Sequence, residues 1–252
     1  MPFLCGGHPA RGDLARLIPA LEAGGASIIE VGIPFSDPIA DGPIVAAAMH
    51  DALQAGATPA TVMEEIAAVR PRTNVGLVAM VSVSIVWRMG GPRGFVERAT
   101  QAGFDGFIFP DAPLEESEFL LRAARDAGKS ASLLIAPTTP PARAEQIAKG
   151  STGFLYLLTR SGITGEQSEA PDVSARVRQL REMTDLPIAC GFGISTREHV
   201  RAVVAHADAA IVGSGLVRRI SESAKAGRDP AVDAKVFIGQ LASGLPAPAV
   251  RA

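Results

Sequence analysis

Short, almost continuously apolar runs alternate along this chain with longer amphipathic segments rich in Ala, Glu and Arg. Eight runs stand out, and in order they read PFLCGG, ASIIEVGIP, VGLVAMVS, FDGFIFPD, SASLLIAP, GFLYLLT, LPIACGFG and DAAIVGSG. Apolar runs without alternation are typical of parallel strands that are buried on both faces. Many of the segments between them end in glycine, as helices commonly do. The pattern therefore predicts eight β/α units.

Eight units in 252 residues leave about 31 residues for each unit, the size expected of a single (β/α)8 or TIM barrel of the α/β class. A doubly wound open sheet is the alternative, but it usually has fewer strands, and no G-x-G-x-x-G follows the first run. We expect one barrel domain over residues 1–243 and a flexible, Pro- and Ala-rich tail over residues 244–252. The first strand begins at residue 2, so the barrel is expected to lack a helix before it.

Composition excludes several classes of function. The net charge of −2 and the absence of a Lys/Arg block argue against nucleic acid and anionic membrane surfaces as partners. No apolar run approaches the length of a membrane helix, and the N-terminus lacks the features of a signal peptide. Two distant cysteines, Cys5 and Cys190, form no disulfide framework, which indicates a reducing, cytoplasmic setting. The four histidines are scattered without metal-ligand spacing.

Polar side chains at the predicted strand ends are the candidates for chemistry, because barrel active sites lie at the C-terminal ends of the strands. Glu30 lies inside the second strand, where apolar neighbours would raise its pKa and suit it to acid–base work. A buried structural Glu, satisfied by backbone or Ser groups, is the alternative. Asp41 is either a second catalytic group or a turn residue in ADGP. Asp111 suits the N-cap of the helix that follows it, and Tyr156 is either a site residue or ordinary packing.

Two glycine-rich turns follow the last two predicted strands. They read GFGIS and GSG and contain Phe192, Gly193, Gly213 and Ser214. Glycines let backbone N–H groups approach phosphate oxygens, and a helix starting near Ser214 would point its positive end at the anion. Gly165, after the sixth strand, would add another amide. Tight βα turns without a ligand are the alternative, but two adjacent turns favour a phosphate site.

The stretch EVGIPFSDPIADGP resembles the signature of the tryptophan synthase alpha subunit family. The resemblance continues through PDAPLEES, YLLTRSGITG, CGFGIS and IVGSG in the same order, and it covers the chain from Phe3 to about Leu216. It implies a lyase that cleaves indole-3-glycerol phosphate by a retro-aldol reaction into indole and glyceraldehyde 3-phosphate, in L-tryptophan biosynthesis. Other phosphate-binding barrels would explain the glycine turns but not PFSDPIADGP.

The resemblance also implies a role for each site residue. Glu30 matches the general acid/base, Asp41 the carboxylate that stabilises positive charge on the indole nitrogen, and Tyr156 an active-site tyrosine near the glycerol part. The matching phosphate-site positions are Gly165, Phe192, Gly193, Gly213 and Ser214. The positions that match the indole pocket are Phe3, Ile108 and Leu134.

A partner is implied in the same way. Pro34, Asp37 and Pro38 match positions that face a β subunit, which carries pyridoxal phosphate and receives indole in an αββα heterotetramer. This chain itself is expected to need no cofactor. TRSGITG matches a mobile lid with Arg160 and Thr164.

The sequence departs from the family pattern at three places. The helix before the first strand is missing, His8 stands near the interface where the family has Asp, and the third loop reads VSVSIVWRMG where the family has a Tyr and an Asn. Two alternatives stay open. One is a stand-alone lyase that releases free indole, which the altered third loop would favour. The other is a catalytically weak α-like allosteric partner, against which the presence of both Glu30 and Asp41 argues.

Overall fold

The computed structural model describes residues 1–38, 41–159, 170–191 and 193–246. Within these ranges parallel strands alternate with helices along the chain. The strands are β1 (Phe3–Cys5), β2 (Ile28–Gly32), β3 (Gly76–Met80), β4 (Gly106–Ile108), β5 (Ser130–Ser132), β6 (Leu134–Ile135), β7 (Leu155–Leu158), β8 (Ile188–Gly191) and β9 (Ala209–Ala210).

Helices fill the connections between these strands, and two helices follow β2. The α-helices are α1 (Leu14–Ala23), α2 (Pro43–Gln54), α3 (Pro59–Val69), α4 (Val83–Arg88), α5 (Gly91–Ala102), α6 (Glu118–Asp126), α7 (Pro141–Gly150), α8 (Ser174–Arg181), α9 (Arg197–Val204), α10 (Ser214–Lys225) and α11 (Pro230–Ala242). Two short 3-10 turns lie at Arg70–Arg72 and Leu114–Glu116. No helix in the described ranges is long and apolar enough to cross a membrane.

The strands form a ring that is closed at two joints. β1 to β5 pair in order as one parallel sheet, and β6 to β9 pair in order as another. At one joint Phe3 N donates a hydrogen bond to Val212 O at 2.9 Å, beside a parallel bridge between Pro2 and Val212. At the other joint β5 and β6 are parts of one run, interrupted at Leu133. The ring of parallel strands with helices outside confirms the predicted α/β barrel.

The prediction of a single fifth strand in SASLLIAP is wrong. The backbone N–H of Leu133 donates to Ser151 Oγ at 3.2 Å instead of to the neighbouring strand, so the run divides into β5 and β6. Within the described ranges no helix precedes β1. The single domain over residues 1–243 and the flexible tail over residues 244–252 stay predictions, because residues 247–252 lie outside the described part.

Side chains of the strands alternate between the barrel interior and the layer under the helices, as the period of two requires. Val78, Ile108 and Tyr156 belong to an interior cluster, whereas Ile29 and Val31 pack in the large outer core. Glu30 lies between Ile29 and Val31 in the chain and pairs with Val78 in the strand register. Strand periodicity therefore turns Glu30 into the barrel interior.

The loop after β3 holds a helix that the sequence pattern did not predict. Helix α4 begins after Ser82, whose Oγ accepts a hydrogen bond from Ser84 N at 3.2 Å. Asp111 adds a second cap, since its Oδ1 accepts from Val83 N at 3.0 Å. The prediction that Asp111 caps the helix that follows it is therefore wrong. The ends of β3 and β4 are neighbours, and this brings Asp111 to the start of α4 instead.

The four largest fully buried side chains are phenylalanines of the outer core, Phe95, Phe104, Phe107 and Phe109. The ring of Phe107 makes an edge contact with Phe95 and stacks on Phe109, both at 6.0 Å between centroids. This cluster joins β4 to α5. Replacing a large aromatic side chain here would leave a cavity that the close-packed surroundings cannot fill.

We expect Phe107→Ala to lower the free energy of unfolding by about 3–5 kcal/mol, through lost burial and a residual cavity. Phe119→Ala is the matched control, because Phe119 is 63% exposed, and it should change stability by about 0.5 kcal/mol or less. Urea denaturation followed by circular dichroism measures both values. Equal losses in the two variants would contradict this assignment of the core.

Candidate active site

A cavity of about 300 Å³ opens at the C-terminal ends of the strands. Strand ends, the loop after β2, helix α2 and the start of α10 all contribute to its wall. The lining residues named by the sequence analysis are Phe3, Glu30, Asp37, Pro38, Asp41, Asp111, Leu134, Tyr156, Gly193, Gly213 and Ser214. The barrel thus brings together residues from distant parts of the chain around one space.

Glu30 lines the floor of this cavity and is fully buried. Neither of its carboxyl oxygens has a hydrogen-bond partner within the described part of the chain. Burial raises the pKa of Glu30 to about 8, because the charged form loses its hydration. The structural alternative required backbone or Ser partners, and the described residues supply none. A buried carboxyl that is left unpartnered beside a cavity is a typical catalytic group.

Asp41 lies higher in the wall, on the turn that leaves β2. Its backbone N donates to Pro38 O at 3.0 Å, and its side chain lines the cavity. Burial raises the pKa of Asp41 to about 6. At pH 7 Glu30 is therefore mostly protonated, while Asp41 is mostly ionised. The two carboxyls differ in environment, as acid and base roles require.

Tyr156 is buried on β7 and borders the same cavity. Burial raises the pKa of Tyr156 well above its ordinary value, and the nearby Glu30 and Asp41 carboxyls raise it further. The phenol therefore stays neutral and acts only as a hydrogen-bonding group. Its ring packs against Gly191, where an added Cβ would lie 2.7 Å from the Tyr156 Oη. Gly191 is small because the tyrosine occupies the space beside it.

The phosphate candidates lie where β8 and β9 end. Gly193 has a φ of +77°, a conformation that L side chains rarely adopt. Gly213 precedes α10, and its carbonyl accepts from Leu216 N and Val217 N. Ser214 and Gly215 start that helix and line the cavity, so their N–H groups are first-turn donors for an anion. No Lys or Arg is among the described residues that line the cavity.

Several residues at or beside the cavity carry little signal in the sequence. His199 of α9 is buried, and its Nδ1 lies 3.1 Å from Gly193 O, which fixes the turn after β8. Its sequence signal is weak, since only its place three residues after the N-cap Thr196 marks it. His199 does not itself line the cavity. Most of the unpredicted lining residues are apolar, and the full set is Ile33, Phe35, Val45, Met49, Met80, Val81, Ser82, Ser84, Pro110, Ile194, Ile211 and Gly215.

Some predicted positions differ in the structure. Ile108 does not line the cavity but is fully buried in the interior cluster below it, and Pro110 of the same strand end lines the wall instead. Pro34 is buried in this chain, so it offers no surface to a partner. His8 is also buried, with its Nε2 2.8 Å from Ser221 Oγ on α10, rather than exposed at an interface.

Four predicted site residues cannot be placed, because they lie outside the part of the chain that the structure describes. The predicted lid and phosphate residues that lie outside the described residues are Arg160, Thr164, Gly165 and Phe192. Cys5 and Cys190 are both free and buried. Within the described ranges no group of three or more His, Cys, Asp or Glu side chains is placed to hold a metal ion.

Two carboxyls of unequal pKa at the C-terminal end of a barrel are typical of an enzyme that performs acid–base chemistry. The family model described as tryptophan synthase alpha chain matches residues 1–245. The chain belongs to the tryptophan synthase alpha chain family. It is a lyase that acts as an alpha subunit in tryptophan biosynthesis, and the alternatives of a stand-alone lyase and a catalytically weak allosteric partner are not favoured.

Relatives and solved structures agree with this membership. Alpha chains from Synechococcus sp. (strain CC9902) and Chloroflexus aggregans are 41% and 42% identical over 96% of this chain, and the matches span 89% and 91% of those proteins. The alpha subunit from Legionella pneumophila str. Paris superposes with a TM-score of 0.88 at 29% identity, over 96% of this chain and 90% of that one. A mutant alpha subunit from Pyrococcus furiosus gives a TM-score of 0.87 at 31% identity, over 96% of both chains.

We expect Gly191→Ala to displace Tyr156 and to lower kcat/KM by about 10- to 100-fold, since a shift of about 1 Å in a site has effects of that size. Gly239→Ala is the matched control, because an added Cβ there meets nothing within 4 Å. The double variant Gly191→Ala with Tyr156→Phe removes the closest clash and should bind a substrate analogue better than Gly191→Ala alone. Wild-type kinetics in Gly191→Ala would contradict the packing argument.

Proposed function

We propose that this chain cleaves indole-3-glycerol phosphate by a retro-aldol reaction into indole and glyceraldehyde 3-phosphate. The observation that carries the proposal is the buried, unpartnered carboxyl of Glu30, which shares one cavity with Asp41 and an anion-binding helix start. Breaking the bond between indole C3 and the glycerol chain needs a proton on C3, which makes the ring a leaving group. A carboxyl with a pKa of about 8 holds that proton at neutral pH.

The proton transfers follow from the two pKa values. Glu30 donates its proton to C3, and positive charge develops on the indole nitrogen. The ionised Asp41 stabilises this charge and accepts a hydrogen bond from the ring N–H. The Glu30 carboxylate then takes the proton of the glycerol hydroxyl next to the breaking bond. The bonding electrons remain with the indole, an aldehyde forms, and Glu30 is protonated again for the next cycle.

The remaining site residues hold the substrate in place. Gly193, Gly213 and Ser214 bind the phosphate through backbone N–H groups, and the dipole of α10 adds to this attraction. Tyr156 contacts the glycerol part, while Phe3 and Leu134 border the indole. Arg160 and Thr164 are proposed to belong to a lid, and Gly165 and Phe192 are proposed to bind the phosphate. No cofactor is needed in this chain, because both proton transfers use carboxyls.

We expect kcat/KM to rise as pH increases through about 6 and to fall as pH increases through about 8. The first limb reports the ionisation of Asp41, which must be charged, and the second the loss of the Glu30 proton. Glu30→Gln should lower kcat/KM by about 10²–10⁴-fold and leave binding of glycerol phosphate nearly unchanged. Asp41→Asn should remove the acidic limb.

Glu64→Gln on the exposed face of α3 is the matched control for the Glu30 variant, and it should keep the wild-type profile. Steady-state assays of indole release and calorimetric titration with glycerol phosphate give the two readouts. Substantial turnover in Glu30→Gln would disprove the acid–base assignment.

We further propose that the chain works in the cytoplasm as the alpha subunit of an αββα complex, whose β subunit carries pyridoxal phosphate and receives the indole. Asp37 and Pro38 support this docking, since both lie at the cavity edge and neither is fully buried. Trp87 supports it as well. It is 60% exposed near the end of α4, the helix that begins at the cavity edge. Large exposed aromatics of this kind are typical of interface anchors.

We expect a β subunit to stimulate indole formation strongly, and Trp87→Ala to weaken the binding of that subunit about tenfold or more without changing the basal rate. Val232→Ala on α11, at a side chain that is 57% exposed, is the matched control. Titration of β subunit into the lyase assay measures both effects. High activity without stimulation would instead identify a stand-alone lyase, and no activity in either case a catalytically weak partner.

A further inference from the structure

One end of the active-site cavity has no role in the reaction proposed above. At the C-terminal ends of β3 and β4 its wall is formed by Ser82, Ser84, Pro110 and Asp111. Three of these four side chains are polar and two are small. The wall between this end and the reacting centre is mostly apolar, with Met80, Val81 and Leu134. A polar wall at the end of an apolar pocket needs a reason, because apolar side chains would bind a plain aromatic ring better.

Hydrogen bonds hold this wall in one arrangement. Ser82 Oγ donates to Asp111 Oδ2 at 2.7 Å, and Val83 N donates to Asp111 Oδ1 at 3.0 Å. Ser84 N in turn donates to Ser82 Oγ at 3.2 Å. A carboxylate has about four acceptor positions, so the Asp111 side chain retains acceptor capacity beyond these contacts. The group is therefore a fixed hydrogen-bond acceptor at the edge of the cavity.

The position of this wall relative to the phosphate turn determines which part of a bound substrate contacts the wall. The strands follow in order around the ring, so the ends of β3 and β4 lie across the barrel mouth from the ends of β8 and β9. A substrate whose phosphate is bound at Ser214 extends across the mouth, past Glu30 and Tyr156. The edge of its aromatic group that is furthest from the phosphate then reaches Ser82 and Asp111.

We propose that Ser82, Ser84 and Asp111 form a specificity subsite for a hydrogen-bond donor on the distal edge of the aromatic ring. The substrate class is indole-3-glycerol phosphates that carry a hydroxyl or amino group on the six-membered ring. The small serines leave room for the substituent, and the Asp111 carboxylate accepts its hydrogen bond. This inference rests on the proposed lyase function, since it assigns a ring specificity to the same site.

The test compares kcat/KM for three kinds of substrate: plain indole-3-glycerol phosphate, its 5- and 6-hydroxy derivatives, and the corresponding methyl derivatives. Methyl and hydroxyl groups have similar size, so the comparison isolates the hydrogen bond. The full chain is assayed alone and with the β subunit. We expect the wild type to prefer one hydroxy derivative over its methyl counterpart about five- to tenfold, the usual effect of a partly exposed hydrogen bond to a charged group.

Variants assign the preference to the wall. Asp111→Asn keeps an acceptor for Val83 N but removes the charge, and it should abolish the hydroxyl preference, which is measured as the ratio of kcat/KM for the hydroxy and methyl derivatives. Ser82→Ala should reduce the preference, and Ser82→Thr, which keeps the hydroxyl, should retain it. Asp126→Asn, at an exposed carboxylate on α6, is the matched control and should behave as wild type.

Each outcome has one meaning. Normal turnover of the plain substrate without any hydroxyl preference would overturn the subsite and leave the lyase function intact. A preference that persists in both Asp111→Asn and Ser82→Ala would overturn the assignment to these residues. Failure to cleave any of the substrates would overturn the lyase function itself, and the subsite with it.

Discussion

The site depends on one constraint, the burial of the Glu30 carboxyl inside a closed ring of strands without a hydrogen-bond partner in the described residues. An unpartnered buried carboxyl persists only where the surrounding fold holds it in place. Here β2 is paired on both sides, with β1 and with β3, so the strand holds the side chain in its buried position. Burial in this fixed position keeps the proton on Glu30 at neutral pH.

At neutral pH the burial of Glu30 lowers the free energy of unfolding. The folded-state pKa of Glu30, about 8, lies above its ordinary value of 4.5, so between these pH values the folded protein binds more protons than the unfolded chain. By linkage, the contribution of Glu30 to stability is fully present below pH 4.5 and is lost as pH rises towards 8. The large apolar core outside the strands offsets this loss. The acid that serves catalysis is therefore maintained by packing elsewhere in the molecule.

The sequence predicted the parts of this arrangement that follow from local rules. Strand periodicity places Glu30 inside the barrel, and glycine spacing predicts the turns of the phosphate site. The sequence did not predict features that depend on contacts between distant segments. Ser151 breaks the fifth strand at Leu133, and the neighbouring ends of β3 and β4 bring Asp111 to α4. Ile108 was assigned to the pocket and Pro110 was not, because a strand pattern gives the face of a residue but not its depth along the barrel axis.

Depth along the barrel axis also explains how β2 and the turn after it supply two carboxyls with different chemistry. Glu30 lies within β2, below the level of the turns, where low polarity raises its pKa to about 8. Asp41 lies on the turn beyond the strand end, where lesser burial raises its pKa only to about 6. The described residues that line the cavity include no Lys or Arg, so a lining cation does not cause the difference between the pKa values of Glu30 and Asp41. The difference arises from height in one cavity, so a segment of a dozen residues provides both a protonated acid and an ionised carboxylate at the same pH.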